Sequence, residues 1–127
     1  TKYMLSDKFI SDSDLIIDGL LGFGFRGDIK EPLNQIITQL NSFNPPILSI
    51  DTPSGLNTST GKTSTCIKAD TTISFACPKR GFLDKNTQEN IGRLLIADIG
   101  VPHALYKRLR IKQYPKFYSS KFIEVLL

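Results

Sequence analysis

Apolar residues along this chain fall into short blocks divided by polar and glycine-rich stretches. Leu15-Ile16-Ile17 is a brief apolar run that ends on Asp18, as a buried strand would. Behind Pro32, the residues Leu33, Ile36, Ile37, Leu40 and Phe43 recur at helical spacing, so the pattern predicts an amphipathic helix that begins at the proline and stops at Asn44-Pro45-Pro46. Ile47-Leu48-Ser49-Ile50, Thr72-Ile73-Ser74-Phe75-Ala76 and Leu94-Leu95-Ile96-Ala97 read as three further strands. Residues 1–13 are polar and weakly patterned. Residues 52–69, rich in Thr, Ser and Gly, read as a long loop, a feature that in compact domains is more often functional than idle. Residues 80–92 read as a loop with a short helical turn, and 103–112 as a short basic helix. The order β-α-β-loop-β-loop-β predicts an α/β protein with a mostly parallel sheet.

The same order predicts a site. A right-handed βαβ unit sets its two strands parallel and side by side. Asp18 and Asp51 then end neighbouring strands, roughly 5–10 Å apart, on the edge where open α/β sheets bind ligands. After Asp18, the run Gly22-Phe23-Gly24-Phe25-Arg26-Gly27 fits G-x-G-x-x-G, a loop whose N–H groups can approach an anion ahead of a helix N-terminus. In a dinucleotide fingerprint the first glycine directly follows the strand, which is not so here. Asp51 could take the ribose position, but Asp18 would stand against the phosphates unless a cation intervened. A nicotinamide dinucleotide oxidoreductase is therefore an alternative reading only. Thr52-Pro53-Ser54-Gly55 forms a rigid turn in which Ser54 is either a helix cap or a ligand group. Two carboxylates and a hydroxyl also make an oxygen cage for a hard cation.

Composition narrows the classes. A length of 127 residues with 40% hydrophobic and 22% charged residues suits one globular domain. No apolar run is long enough to span a membrane, and no signal peptide stands at the start, so a cytoplasmic location is expected. Cys66, Cys77 and the single histidine His103 lack zinc-site spacing. The net charge of +4 comes from residues 103–127, where Lys107, Arg108, Arg110, Lys112, Lys116 and Lys121 face one acid, Glu124. A basic tail or linker stub at 103–127, behind a domain at 1–102, fits that distribution better than a nucleic-acid surface.

The motifs in combination resemble a known family. Asp18, Gly22-Phe23-Gly24-Phe25-Arg26-Gly27-Asp28 and Pro32, followed by Ser49-Ile50-Asp51-Thr52-Pro53-Ser54-Gly55, are similar to the NAD(P)H-hydrate epimerases, the YjeF N-terminal domain family. Ala69-Asp70, Phe75-Ala76-Cys77-Pro78-Lys79 and Gly92 to Pro102 follow in matching order, so the likeness covers about residues 14–102. The resemblance implies a Rossmann-like α/β/α fold and an isomerase that interconverts the R and S forms of hydrated NADH and NADPH (NADHX, NADPHX) in cofactor repair. It implies a potassium ion held by Asp18 and Ser54. It implies that Gly22, Phe23, Gly24, Phe25, Arg26, Gly27 and Asp28 hold the substrate's phosphates, and that Asp51 contacts substrate and is catalytic. Some members carry a second catalytic lysine where Arg26 stands; an arginine stays protonated, so its part would be electrostatic.

The family also has an N-terminal half with an Asn-Asn-Gly-Gly-Asp-Gly loop, and that motif is absent from these 127 residues. The chain thus resembles the C-terminal part of the domain, truncated at its N-terminal half. A separately encoded N-terminal half or a homodimer partner is the implied associate, with poor stability expected without one. A non-catalytic α/β ligand-binding module, or the remnant of a split epimerase gene, is the alternative of a different class.

Overall fold

The computed structural model describes residues 6–112, 114–118 and 120–126. Five strands form one sheet: β1 (Ile16–Asp18), β2 (Ile47–Ile50), β3 (Thr71–Phe75), β4 (Arg93–Ala97) and β5 (Phe122–Val125). They lie side by side in chain order; β1 to β4 are parallel and β5 is antiparallel to β4. The helices are α1 (Asp7–Ser11), α2 (Leu33–Leu40), α3 (Gln88–Ile91) and α4 (His103–Arg108). Two 3₁₀ turns, Arg80–Leu83 and Lys85–Thr87, precede α3. The α/β reading and its first four strands hold, with α2 shorter than the apolar spacing predicts. α1 falls in the stretch read as unpatterned, the first five residues of which lie outside the described ones.

Strands in sequential order with crossovers of one hand carry their connections on one face. The packing agrees. Ile37 and Leu40 of α2 and Ile10 of α1 are buried with Ile47, Ile67 and Ala69 in one cluster. Leu56, Cys66, Phe82, Ile91, Leu94 and Ile96 form a second. A fully buried Leu, Ile or Phe side chain contributes about 1.5–3 kcal/mol, so these clusters are the main source of cohesion. Ile17, Leu48, Ile50, Ile73 and Leu95 alternate to the other face and belong to neither cluster. Ile17 is 65% exposed. The described residues therefore provide one covered face of a Rossmann-like α/β sheet.

The segment 103–126 corrects the expectation of a linker-like tail. It provides α4 and then β5, which joins the sheet along four residue pairs from Leu94↔Val125 to Ala97↔Phe122. Val125 and Phe117 pack on the second cluster. Tyr106 is buried and stacks on Tyr114, with ring centroids 4.3 Å apart.

The buried face changes character toward the carboxyl ends of the strands. Asp18, Ser49, Thr72 and Ser74 point inward and are all buried. Asp18 pairs with Ser49 in register, and Ser49 with Thr72. This polar row crosses the sheet beneath the two loops that carry the motifs.

Candidate functional site

The loop after β1 and the turn after β2 are bonded into one unit. Asp18 Oδ2 accepts from the Ser49 hydroxyl at 2.7 Å and from the Ser54 backbone N–H at 2.9 Å. Its Oδ1 accepts from the Ser54 hydroxyl and, at 3.3 Å, from the Leu20 N–H. The Ser54 hydroxyl in turn accepts from the Leu21 N–H at 2.9 Å. Ser54 thus caps no helix; it ties the start of the glycine loop to the second turn. Gly55 completes that turn at φ 101, where a Cβ would sit 2.1 Å from the Thr65 carbonyl oxygen, so only glycine fits.

Beyond Leu21 the glycine loop runs exposed. Its Phe23 carbonyl accepts from the buried Thr58 hydroxyl at 3.0 Å, and Phe25 N–H donates to Gly22 O at 3.1 Å. No acceptor among the described residues takes the N–H groups of Gly22, Phe23, Gly24, Arg26, Gly27 or Asp28. Free N–H groups in a glycine turn form an anion-binding concavity. A cleft of about 360 Å³ opens beside it, lined by Gly27, Asp28, Asn57, Thr60 and Lys62 among others. An acid stands at the positive end of α2. It is Glu31, its Oε2 accepting from Gln35 N–H at 3.3 Å and its Oε1 from the Asn34 side-chain amide at 3.2 Å.

Asp51 is built differently. It has φ 66, and Thr52 N–H reaches back to Ile50 O at 2.9 Å, closing a γ-turn around it. The end of β3 repeats this shape: Ala76 has φ 64, and Cys77 N–H donates to Phe75 O at 2.7 Å. Such backbone costs of order 1–3 kcal/mol per residue and is retained where the surroundings hold it. Asp51 Oδ1 accepts from the Phe75 N–H at 3.2 Å and the Ser74 hydroxyl at 3.4 Å. Lys79 Nζ stands 2.9 Å from the same oxygen, the two side chains being 15% and 19% exposed.

Asp18 and Asp51 therefore flank one turn, Asp18 beneath it and Asp51 toward β3. Arg26 is exposed and makes no ion pair among the described residues. The basic partner of Asp51 is Lys79, which sequence spacing alone does not assign. Ser49 likewise shows in the sequence only as a strand residue. A polar side chain at an inward position one residue from a strand end is the signal that marks it.

Residues 2–81 match the family described as YjeF-related protein N-terminus. The chain belongs to this family. A bifunctional NAD(P)H-hydrate repair enzyme of Leishmania braziliensis is 39% identical over 92 residues, covering 72% of this chain and 16% of that protein. An NAD(P)H-hydrate epimerase of Legionella pneumophila is 32% identical over 118 residues, covering 91% of this chain and 44% of that protein. One of Limosilactobacillus fermentum is 36% identical over 90 residues and is covered to 43%. The crystal structure of yeast ynu0 shares the fold, with a TM-score of 0.72 at 19% identity, over 94% of this chain and 50% of that one. This YjeF N-terminal chain thus spans less than half the length of these curated relatives. The matched region contains the glycine loop, both acid turns and Lys79.

No helix among the described residues is long and apolar enough to cross a membrane. No cluster of three or more His, Cys, Asp or Glu suited to a metal is found among them. Asp18 is nonetheless 1% exposed, and all its partners are neutral donors. A buried carboxylate with no cationic side chain beside it is electrostatically costly, and a bound cation would offset that cost.

Proposed function

We propose that this chain carries the loop-and-acid half of an NAD(P)H-hydrate epimerase site and takes part in interconverting R and S NADHX or NADPHX. The observation that carries this reading is Asp51. It is held at φ 66 beside a glycine loop with free N–H groups, and its Oδ2 has no protein partner among the described residues. The loop 22–28 would take the diphosphate, with Phe23 and Phe25 offering apolar surface and Arg26 a positive charge. C6 of the hydrated nicotinamide ring carries a hydroxyl and the ring nitrogen. Asp51 Oδ2 would accept the hydroxyl proton while the oxygen's electron pair forms the carbonyl and the C6–N electrons pass to nitrogen. Reclosure on either carbonyl face, with return of the proton, gives both epimers. The N–H cradle fixes the substrate through groups remote from the reacting carbon.

Asp18 and Ser54 would be this chain's ligands to a potassium ion. The buried carboxylate without a cationic partner favours such a site, and the ion would supply charge compensation beside the phosphates. The remaining ligands, and a cover for the open sheet face, would come from an N-terminal half of the domain, in the same or another polypeptide, or from a second copy of the chain.

The test is epimerisation of purified R-NADHX in potassium buffer, with the epimer ratio followed by chromatography. Supplied with an N-terminal half of the domain, the chain is expected to speed equilibration, and Asp51→Asn to reduce that rate by about 10²-fold or more. An Asp51→Asn rate equal to that of the unsubstituted chain would remove Asp51 from the chemistry. The alternative is a ligand-binding module, and binding of NADPHX without turnover, with or without an added N-terminal half, would favour it.

A further inference from the structure

Asp51 has one tethered oxygen and one open one, and the strongest tether is a lysine 28 positions away. Lys79 Nζ lies 2.9 Å from Asp51 Oδ1. The same ammonium donates to the Phe75 carbonyl at 3.0 Å and to the Cys77 carbonyl at 3.5 Å, the two that border the γ-turn at Ala76. An ammonium has three hydrogens, so these three acceptors use all of them. Lys79 has no donor left for a ligand, and at 15% exposure it is largely screened from one. Its charge also lies 5.7 Å from the centre of the Phe23 ring, at cation–π range from the glycine loop.

We infer that Lys79 is the positioning residue of this site: it locks Asp51 Oδ1 and aims Oδ2 at the ligand, while its contact with Phe23 sets the glycine loop against the same carboxylate. The inference rests on the epimerase reading for its chemistry and on the ion pair for its geometry. The γ-turn at Ala76 supplies the reason for a lysine here. It directs two carbonyl oxygens at one point, which a compact ammonium fills and a planar guanidinium fits poorly.

Two measurements on the full chain test it. In the first, Lys79→Met is compared with Asp51→Asn and with the double variant in NADHX epimerisation. Lys79→Met is expected to lower kcat by about 10²-fold with KM within about 3-fold. In the Asp51→Asn background it should cost nothing further. Ethylamine should restore part of the rate to Lys79→Ala and none to Asp51→Asn. A Lys79→Met chain as fast as the unsubstituted one, or a further loss in the double variant, overturns the inference. The second measurement needs no turnover. In amide NMR spectra of the ligand-free chain, Lys79→Met and Asp51→Asn should both move the Phe75 amide and the Phe23 signals. If the unsubstituted chain does not epimerise even with an added N-terminal half, the epimerase reading fails while this arm still decides the tether. Phe75 and Phe23 signals unmoved by Lys79→Met overturn it.

Discussion

Asp18 and Asp51 end adjacent parallel strands, yet the chain uses them in opposite ways. Asp18 sits in regular strand, 1% exposed, with both oxygens engaged by four donors from Ser49, Ser54 and Leu20. Asp51 sits on left-handed backbone at φ 66, its side chain 19% exposed, with one oxygen taken by three donors and the other by none among the described residues. A carboxylate held on both oxygens by backbone and hydroxyl donors holds the site together. A carboxylate with one oxygen reserved is available to act in it. Proximity on a sheet edge, which the strand order dictates, does not distinguish the two acids; their partners do.

The most damaging substitution breaks both acids together. Gly55 closes the turn between them at φ 101, and a Cβ there meets Thr65 O at 2.1 Å, Ile29 Cδ1 at 2.8 Å and Cys66 Cα at 3.0 Å. Gly55→Ala should cost about 4 kcal/mol or more, since strain and overlap act on buried backbone that cannot shift freely. Urea denaturation followed by circular dichroism measures it. A loss below about 1 kcal/mol would show that the turn is not the rigid joint described here.

The next largest effect separates the two acids. Asp18→Asn keeps the shape but turns one acceptor into a donor facing buried donors, and should cost about 3 kcal/mol. Asp51→Asn loses one partly exposed ion pair, and should cost less than about 1 kcal/mol of stability while removing turnover. Equal destabilisation by the two substitutions would erase the distinction between a building and an acting carboxylate.

Sequence made parts of this arrangement legible and hid others. β1 to β4 and α2 are visible because each is an apolar block or a helical stripe flanked by proline, glycine or acid. β5 is not, because Phe122-Ile123-Glu124-Val125 is too short a pattern and owes its strand form to pairing with β4. The exposed Arg93–Glu124 ion pair spans that join, with contacts of 2.7 and 2.8 Å. Asp18, Ser54 and Asp51 stand out by motif. The Ser49 bond to Asp18 and the Lys79 bond to Asp51 cross strands over 31 and 28 positions, and only the sheet register brings them together. The glycine loop reads as an anion cradle from its pattern, and an acid near the start of α2 is legible too, though which donors Glu31 takes is seen only in the structure.

The smallest expected effect probes the closed side of the site through Cys66. Cys66 lies in the buried cluster beside Leu56, while Cys77 is half-buried at the γ-turn whose carbonyl faces Lys79. Burial pushes the Cys66 thiol from 9.0 up to about 12; a bond to Thr63 opposes this, and the Asp18 charge adds to it. A thiol whose folded value is raised binds its proton more tightly when folded. Its stabilising contribution is therefore complete below pH 9, the unfolded value, and is lost progressively as pH rises from there toward 12. At one unit above the unfolded value the loss is about 1 kcal/mol. Urea midpoints at pH 8 and pH 10 should fall further for the unsubstituted chain than for Cys66→Ala, by that amount. Lysine and tyrosine titrations are common to both chains and cancel in the comparison. An equal fall in the Cys66→Ala and unsubstituted chains would show that the Cys66 thiol is not sealed on the closed side of the site.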